Sequence, residues 1–408
     1  MCDGIMRDKQ PEIRKYPEDW EIVKIKELSK VITGNTPPTS SLDSYGGTYL
    51  WATPTDINGQ KILKHTSRKL TEKGISFARK LPPETLLVTC IASIGKNAIL
   101  KKEGCCNQQI NAILPSEKYN TDYLYYWFEN NKKLLLALAG QTAVPIINKN
   151  TFEKLSVILP TPKEQQKIAA ILTTVDENIE ETGRIISACE KIKKGLMQEL
   201  FSNNASQINY SNKWETTKLK DVVICFKNGG TPSTKNKTYW TGNIPWVTGA
   251  DFDDGKIRNI RRHITEEAVR NSATNVIKKG NLLLVTRTGV GKMAIAPYDI
   301  AISQDITGIL FNESILPKFA FWYMRYYIEK LKTLNQGTSI NGIVRADLEA
   351  SQFPIMSNDR QKEIVAILDS LTDRIDEEKE KKETLTTLKK SLMQKLLTGE
   401  IRVKVQAQ

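Results

Sequence analysis

The chain is written twice, and that duplication restricts its folding more than any other feature. A block opening at Trp20-Glu21 recurs at Trp214-Glu215, and later landmarks stay in register at offsets of 194 to 197 residues. Gly34-Asn35-Thr36-Pro37 corresponds to Gly229-Gly230-Thr231-Pro232, and Trp51, Asp56 and Trp127 correspond to Trp246, Asp251 and Trp322. Each copy closes on almost the same phrase, Lys193-Lys194-Gly195-Leu196-Met197-Gln198 and Lys389-Lys390-Ser391-Leu392-Met393-Gln394. Six of the seven tryptophans fall in these pairs, which composition bias does not produce. Solenoid repeats are far shorter, so a period of this length means two domain-sized units. It also implies a pseudo-twofold arrangement toward whatever the protein binds.

The net charge of +13 over 408 residues attracts polyanions, nucleic acid above all. No run of 18 apolar residues occurs, so no membrane partner is expected. Residues 1–16 read as a loose polar tail without the apolar stretch of a signal peptide. The six cysteines show no Cys-x-x-Cys spacing and only His65 and His263 could join them, so no metal site is expected. Reduced thiols in a cytoplasmic protein are the simplest reading.

Each copy has two parts. Residues 17–160 and 211–356 mix short apolar runs with turn signals, as in Leu86-Leu87-Val88-Thr89 and Leu282-Leu283-Leu284-Val285-Thr286, each followed by Gly-Lys (Gly95-Lys96, Gly291-Lys292). Aromatic segments 122–130 and 317–327 suggest short buried helices. These parts read as α/β or α+β domains. Residues 161–203 and 357–400 read as long helices. Thr161-Pro162-Lys163-Glu164 has the form of a capping box with proline at the first helical position. Apolar residues then recur mostly at steps of three and four: Ile168, Leu172, Val175, Ile179, then Ile186, Cys189, Leu196 and Leu200 in one helix, and Ile364, Leu368, Leu371, Ile375, then Leu385, Leu388, Leu392 and Leu396 in the other. Thr182 and Glu378 interrupt the stripe in corresponding places, and Asn203 and Gly399 stand where a left-handed terminating residue is expected. Each helix would run about 55 Å at 1.5 Å per residue. Packed antiparallel as a coiled coil, with a pseudo-twofold axis across their middle, the helices would make a dumbbell of two globular domains.

Several chemistries have no motif here. Thr288-Gly289-Val290-Gly291-Lys292-Met293 lacks the first glycine and the hydroxyl residue of a phosphate loop. Thr36-Pro37-Pro38-Thr39 has neither the amide nor the aromatic of a base-methylating tetrapeptide. No dinucleotide loop, nucleophile elbow or His-Glu-x-x-His occurs. A chain without catalysis of its own is expected. A fused methyltransferase or nuclease, and a helical adaptor with incidental charge, are the alternatives.

The ordered, doubled set of phrases resembles one family. It comprises Gly-Gly-Thr-Pro, Trp-x-x-x-x-Asp, a strand ending in Gly-Lys, a Gln-Thr or Gly-Thr-Ser loop (Gln141-Thr142, Gly337-Thr338-Ser339), a Glu164-Gln165 helix start, and Leu-Met-Gln-Lys-Leu-Leu-Thr-Gly at 392–399. This resembles the DNA specificity subunit of a type I restriction–modification enzyme, over essentially the whole chain after residue 16. The resemblance implies two target-recognition domains, each reading half of a split, asymmetric site on double-stranded DNA. It implies that the helices set the half-site spacing and dock two copies of the methyltransferase subunit, which recruit restriction subunits. S-adenosylmethionine, ATP and Mg would then belong to those partners. Copy one departs at Asn35, where a second glycine is usual, and copy two has Asn358-Asp359-Arg360-Gln361 in place of the Glu-Gln start.

DNA readers need cations for phosphates and amides, hydroxyls or guanidinium groups for base edges. The candidates are Thr36 and Thr231 in the Gly-x-Thr-Pro loops, Lys96 and Lys292 after the glycines, and the loops Gln141-Thr142 and Thr338-Ser339 with nearby Lys149 and Arg345. Arg287 and the basic run Lys256, Arg258, Arg261 and Arg262, which has no full counterpart in copy one, complete them. A plain turn, a surface arginine and a solvated face are the structural alternatives. The paired tryptophans are expected in the core. Matched residues should mark scaffold and phosphate contacts, and mismatched polar residues on equivalent loops should carry base specificity.

Overall fold

The computed structural model describes residues 16–140, 143–201, 214–253, 255–287, 290–334 and 345–404. They form two compact units, one containing the described residues up to Gly183 together with those from Glu380, the other running from Arg184 to Lys379. Both divisions fall inside a long helix, so each unit holds one globular region and half of each helix.

The globular region of the first unit is built on a four-stranded antiparallel sheet in the order Val31–Thr33, Ile110–Ile113, Thr85–Thr89, Asn97–Leu100. Its inner strand is buried on both faces, which is why it reads as a continuous apolar run. Side chains alternate along a strand. Leu86 and Val88 therefore join the aromatic helix Thr121–Asn130, whereas Leu87 joins Leu50, Ala52 and Cys106 of a smaller sheet. Burying each such leucine or valine contributes about 1.5–3 kcal/mol. The smaller sheet holds Lys69–Leu70, Tyr45–Ala52 and Gly104–Cys106, the last two parallel. Glu21–Lys24 pairs with Ser156–Leu159 in a separate two-stranded ladder whose Val157 and Leu159 join the core of the larger sheet and the aromatic helix.

The second unit repeats this plan. Its larger sheet runs Val223–Asn228, Ile306–Phe311, Leu282–Val285, Met293–Ile295, and its smaller one Arg262–Ile264, Ile244–Val247, Ile300–Ile302, Asn275–Ile277. The fourth strand of that smaller sheet survives in the first unit only as a single bridge between Leu81 and Gly104. Duplicated α+β regions were expected, and both units show them. The copies also exchange one cross-strand pair. Thr33 lies opposite Asn111 and donates to its Oδ1 at 2.6 Å, while in the second unit Asn228 lies opposite Thr307, whose hydroxyl donates to the asparagine at 3.4 Å.

The helix register corrects one tryptophan pair. Gln165 accepts from the Asn120 amide and Gln361 from the Leu316 amide, both at 2.8 Å, and both pairs are 196 residues apart. At that offset Trp322 corresponds to Tyr126, and Trp127 corresponds to Tyr323. The chemistry agrees. Tyr126 donates to Asp176 at 2.8 Å and Trp322 to Asp369 at 3.0 Å, each reaching a carboxylate on a long helix of its own unit. Five of the six paired tryptophans are buried, as expected of core residues, and Trp214 is half-buried.

The long helices are Pro162–Phe201, 40 residues, and Asn358–Leu396, 39 residues. Thr161 caps the first by accepting from the Glu164 amide at 3.4 Å, and Ser357 caps the second by accepting from the Arg360 amide at 3.3 Å. The expected capping box is only half formed, because the buried Glu164 carboxylate is held by Trp20 and Arg402. Gly399 adopts φ +74° past the second helix, as a left-handed terminator should; Asn203 lies outside the described residues. Within the first unit the helix segments run antiparallel, Lys389 meeting Asp176 at 2.6 Å and Lys382 lying beside Gly183. Within the second, Lys379 meets Glu190 at 3.4 Å while Leu200 packs with Ile364 and Leu368.

The apolar stripe does more than join helix to helix. Ile168, Leu172, Leu392 and Leu396 belong to the same core as the aromatic helix of their unit, and Leu196, Leu200, Ile364 and Leu368 do so in the other. Ile375 is buried, and Val175, Ile179 and Leu371 are half-buried. The ends of the stripe are thus part of each globular core.

Candidate nucleic-acid interface

Both copies build the same small device from the Gly-x-Thr-Pro loop and a three-residue connection between the smaller and larger sheets. In copy one the Gly34 amide donates to Ile110 and the Asn35 amide to Cys106; in copy two Gly229 donates to Ile306 and Gly230 to Ile302. The backbones approach so closely that a Cβ at Gly34 would lie 2.1 Å from the Cys106 carbonyl oxygen, and one at Gly229 2.1 Å from that of Ser303. Glycine is needed here for space. The tryptophans of the Trp-x-x-x-x-Asp motif hold the loop from behind, Trp51 donating to the Asn35 carbonyl at 3.2 Å and Trp246 to that of Gly230 at 3.0 Å. The Thr36 hydroxyl then donates to Gln108 Oε1 at 2.6 Å, and the Thr231 hydroxyl to Gln304 Oε1. Both glutamines stand exposed on their turns.

The departure at Asn35 has a local cause. Gly230 lies against the Ala273–Thr274 backbone, where a Cβ would come within 2.5 Å. In copy one the Asn35 amide bridges that space, donating to the Phe77 carbonyl and accepting from the Arg79 amide.

The motif aspartates brace the following turn. Asp56 Oδ2 accepts from the amide and hydroxyl of Thr53 and Oδ1 from those of Ser67; Asp251 Oδ2 accepts the same pair from Thr248. Burial opposes ionisation of Asp56, but the Ser67 and Thr53 donors outweigh it and hold its carboxyl below the usual range. Lys96 and Lys292 complete the bracing by bonding backbone carbonyls. Lys96 Nζ donates to the Pro54 carbonyl and Lys292 Nζ to the Gly249 carbonyl, each at 3.4 Å, with Phe252 adding a second acceptor for Lys292. The paired lysines thus hold the turn in both copies.

The basic run of copy two is dispersed. Lys256 pairs with Asp376, Arg258 with Asp253, and Arg261 with the buried Asp251 at 2.9 Å. Arg262 instead lies over Trp240 and Trp246, 5.5 and 5.8 Å from their ring centroids. It has a counterpart that composition conceals. Strand register places Trp246 opposite Arg262, and in copy one Arg68 lies over Tyr45, which packs edge-on against Trp51 as Trp240 does against Trp246. An aromatic–guanidinium pair therefore flanks the loop in each copy. In copy two it opens onto a groove of about 640 Å³ lined by Thr234, Lys237, Trp240, Thr241, Gly242, Arg261, Arg262 and His263.

Arg287 stands exposed just beyond the strand Leu282–Val285. Arg345 bonds Glu349 at 2.7 Å and lies over Phe226, and Lys149 pairs with Glu153 at 3.5 Å. Gln141, Thr142, Thr338 and Ser339 lie outside the described residues. The device thus brings together Thr36 and Thr231 with Gln108 and Gln304, which the motif reading passed over. Their signal was a glutamine recurring 196 residues apart between unlike neighbours.

Among the described residues, no group of three or more His, Cys, Asp or Glu is placed to hold a metal ion, and no helix is long and apolar enough to cross a membrane. Burial pushes the Cys90 and Cys105 thiols up to about 12, so neither is a thiolate nucleophile at neutral pH.

Comparison with known proteins agrees with this architecture. The type I restriction modification DNA specificity domain matches twice, at residues 17–191 and 211–387. Two curated relatives come from Methanocaldococcus jannaschii. The type I restriction enzyme MjaIX specificity subunit is 24% identical, over 97% of this chain and 96% of its own length, and the putative MjaX specificity subunit is 28% identical, over 97% of each. A crystal structure of the S subunit of a type I restriction–modification system from M. genitalium shares the fold, with a TM-score of 0.63, 17% identity, and coverage of 95% of this chain and 98% of that one. With the domain matched in both of its halves, the chain belongs to the type I restriction–modification DNA specificity family.

Proposed function

We propose that this chain is the sequence-reading subunit of a type I restriction–modification complex and catalyses no reaction itself. The observation that carries this is the doubled device. Two copies share one scaffold around the Thr–Gln loop pair but differ beside it, with Tyr45 and Arg68 in one and Trp240, Arg262 and a basic groove in the other. Two unlike readers on a repeated scaffold suit a split, asymmetric site on double-stranded DNA, with each globular region reading one half. The long helices set the half-site spacing and present similar surfaces to two copies of a methyltransferase subunit, through which restriction subunits join. S-adenosylmethionine, ATP and Mg belong to those partners, and the assembly works in the cytoplasm. Arg262 and Arg287, together with the loops that Thr36 and Thr231 hold, are the candidate contacts best placed for DNA. Lys96, Lys292 and Arg261 support the turns behind them.

The test is co-expression with a cognate methyltransferase subunit, followed by methylome sequencing. The expected result is a bipartite motif whose halves change separately when residues 17–160 or 211–356 are exchanged for those of a relative. A continuous palindromic motif would refute the split-site reading. Methylation by the isolated chain with S-adenosylmethionine would refute the absence of catalysis.

A further inference from the structure

We infer that Gln108 and Gln304 are sequence-independent DNA contacts, each presenting its amide N–H groups to a backbone phosphate, with Thr36 and Thr231 as their positioning residues. This rests on the DNA-reading function proposed above and adds residues that no motif assigns. Each threonine hydroxyl donates to Oε1 of its glutamine, which fixes the amide plane and engages the oxygen. What remains is Nε2 with its two N–H donors, on an exposed turn. Such a group serves an acceptor oxygen.

The choice of phosphate over base follows from the repeat. Two half-sites of different sequence share their sugar–phosphate backbone, and a donor built identically at both sites suits the part they share. The surroundings that differ, Tyr45 with Arg68 against Trp240 with Arg262, are then left to discriminate bases or groove shape. The donor is also preorganised. Interlocked backbones at Gly34 and Gly229, and tryptophan N–H groups behind the loop, hold the threonine in place before DNA arrives, so little ordering is left for binding to supply.

The test uses the full chain reconstituted with its methyltransferase partner. Affinity for duplex DNA carrying the methylated motif is measured by fluorescence anisotropy across a salt series, and each variant complex is sequenced for methylation. Gln304→Ala should weaken binding about tenfold, the worth of a hydrogen bond to a charged group. A neutral amide displaces no counterion, so the salt slope should stay that of wild type, and the methylated motif should be unchanged. Gln304→Glu should bind more weakly than Gln304→Ala, because it sets a carboxylate against the phosphate. Thr231→Val should reproduce part of the loss and Thr231→Ser should restore it, which a merely structural effect on the loop would not do. Gln108 and Thr36 should behave alike in the other half. Relaxed specificity at one base pair in Gln304→Ala would make the glutamine a base reader and overturn the inference, as would wild-type affinity in both glutamine variants. A wild-type complex that binds no split motif would instead sink the underlying function. Equal thermal midpoints for the alanine variant and wild type separate either result from unfolding.

Discussion

Removing the Arg402 guanidinium should unfasten one end of the first unit. That group donates to both Glu164 oxygens at 2.8 and 2.9 Å and both Asp19 oxygens at 2.9 and 2.7 Å, and lies 5.8 Å from the Trp20 ring. It ties the entry of the first strand, the start of a long helix and the tail beyond the second helix into one knot. The two carboxylates are unequal. The Glu164 side chain is 1% exposed, whereas that of Asp19 is 53% exposed. Arg402→Ala therefore strands a buried carboxylate whose remaining donor is the Trp20 indole at 3.2 Å. Breaking a buried ion pair from one side costs about 3–5 kcal/mol. The Arg402 side chain is itself 42% exposed, so water can follow the missing group, and the lower end of that range, about 3 kcal/mol, is expected. Urea unfolding of the full chain, followed by tryptophan fluorescence, reads the loss as a lower midpoint for the transition of this unit. Adding Glu164→Gln to Arg402→Ala should recover more than half of it, because a neutral amide is far cheaper to bury than a lone carboxylate. A loss below about 1 kcal/mol, the worth of an exposed pair, would refute the reasoning, as would failure of the second substitution to recover stability.

Four further outcomes can be checked directly. Replacing the buried Gln361 side chain in Gln361→Ala orphans the Leu316 amide and the Ser314 and Met356 carbonyls, which it serves at 2.8, 2.7 and 3.1 Å; a loss of about 2–4 kcal/mol in thermal or denaturant unfolding is expected. Gly229→Ala would drive a Cβ to 2.1 Å from the Ser303 carbonyl oxygen, and should cost about 1–3 kcal/mol and weaken DNA binding. Gly280→Ala, whose Cβ would meet nothing, should leave binding unchanged despite its positive φ. Asp56 has a folded-state pKa below its ordinary 3.8, so its contribution to stability is full above that value and is lost as the pH falls through the depressed one. Acid titration of Asp56→Asn should accordingly show a shallower loss of stability below pH 3.8 than wild type.

Much of this organisation was readable from the sequence because the duplicated scaffold keeps its identities where backbones touch. Gly34 and Gly229 have no room for a side chain, and Asp56 and Asp251 answer the same threonine donors, so the motifs persist in both copies. The mispaired tryptophans show the opposite regime. Trp127 and Trp322 share a residue type, but helix phase is set by the buried amides of Gln165 and Gln361. Bulk inside a core can move one position along a helix, whereas a hydrogen-bonded amide cannot. Arg68 escaped notice because a run of charges attracts attention to composition, and only strand register reveals which arginine of the run faces the tryptophans. Lys96 and Lys292 carry the expected charge but bond backbone carbonyls, and nothing in a Gly-Lys step fixes the direction of a flexible side chain.

The reversed threonine–asparagine pair between the first two strands of each larger sheet bears on how the two halves can be shuffled. Each sheet needs one hydroxyl and one amide across that register, and the copies supply them from opposite strands. A chimaera joining the Thr33 strand to the Thr307 strand would face two short hydroxyls across a gap, and its reciprocal would crowd Asn228 against Asn111. New specificities made by exchange between the copies must therefore carry both strands together. The natural recombination joints are the long helices, where no such pair is divided.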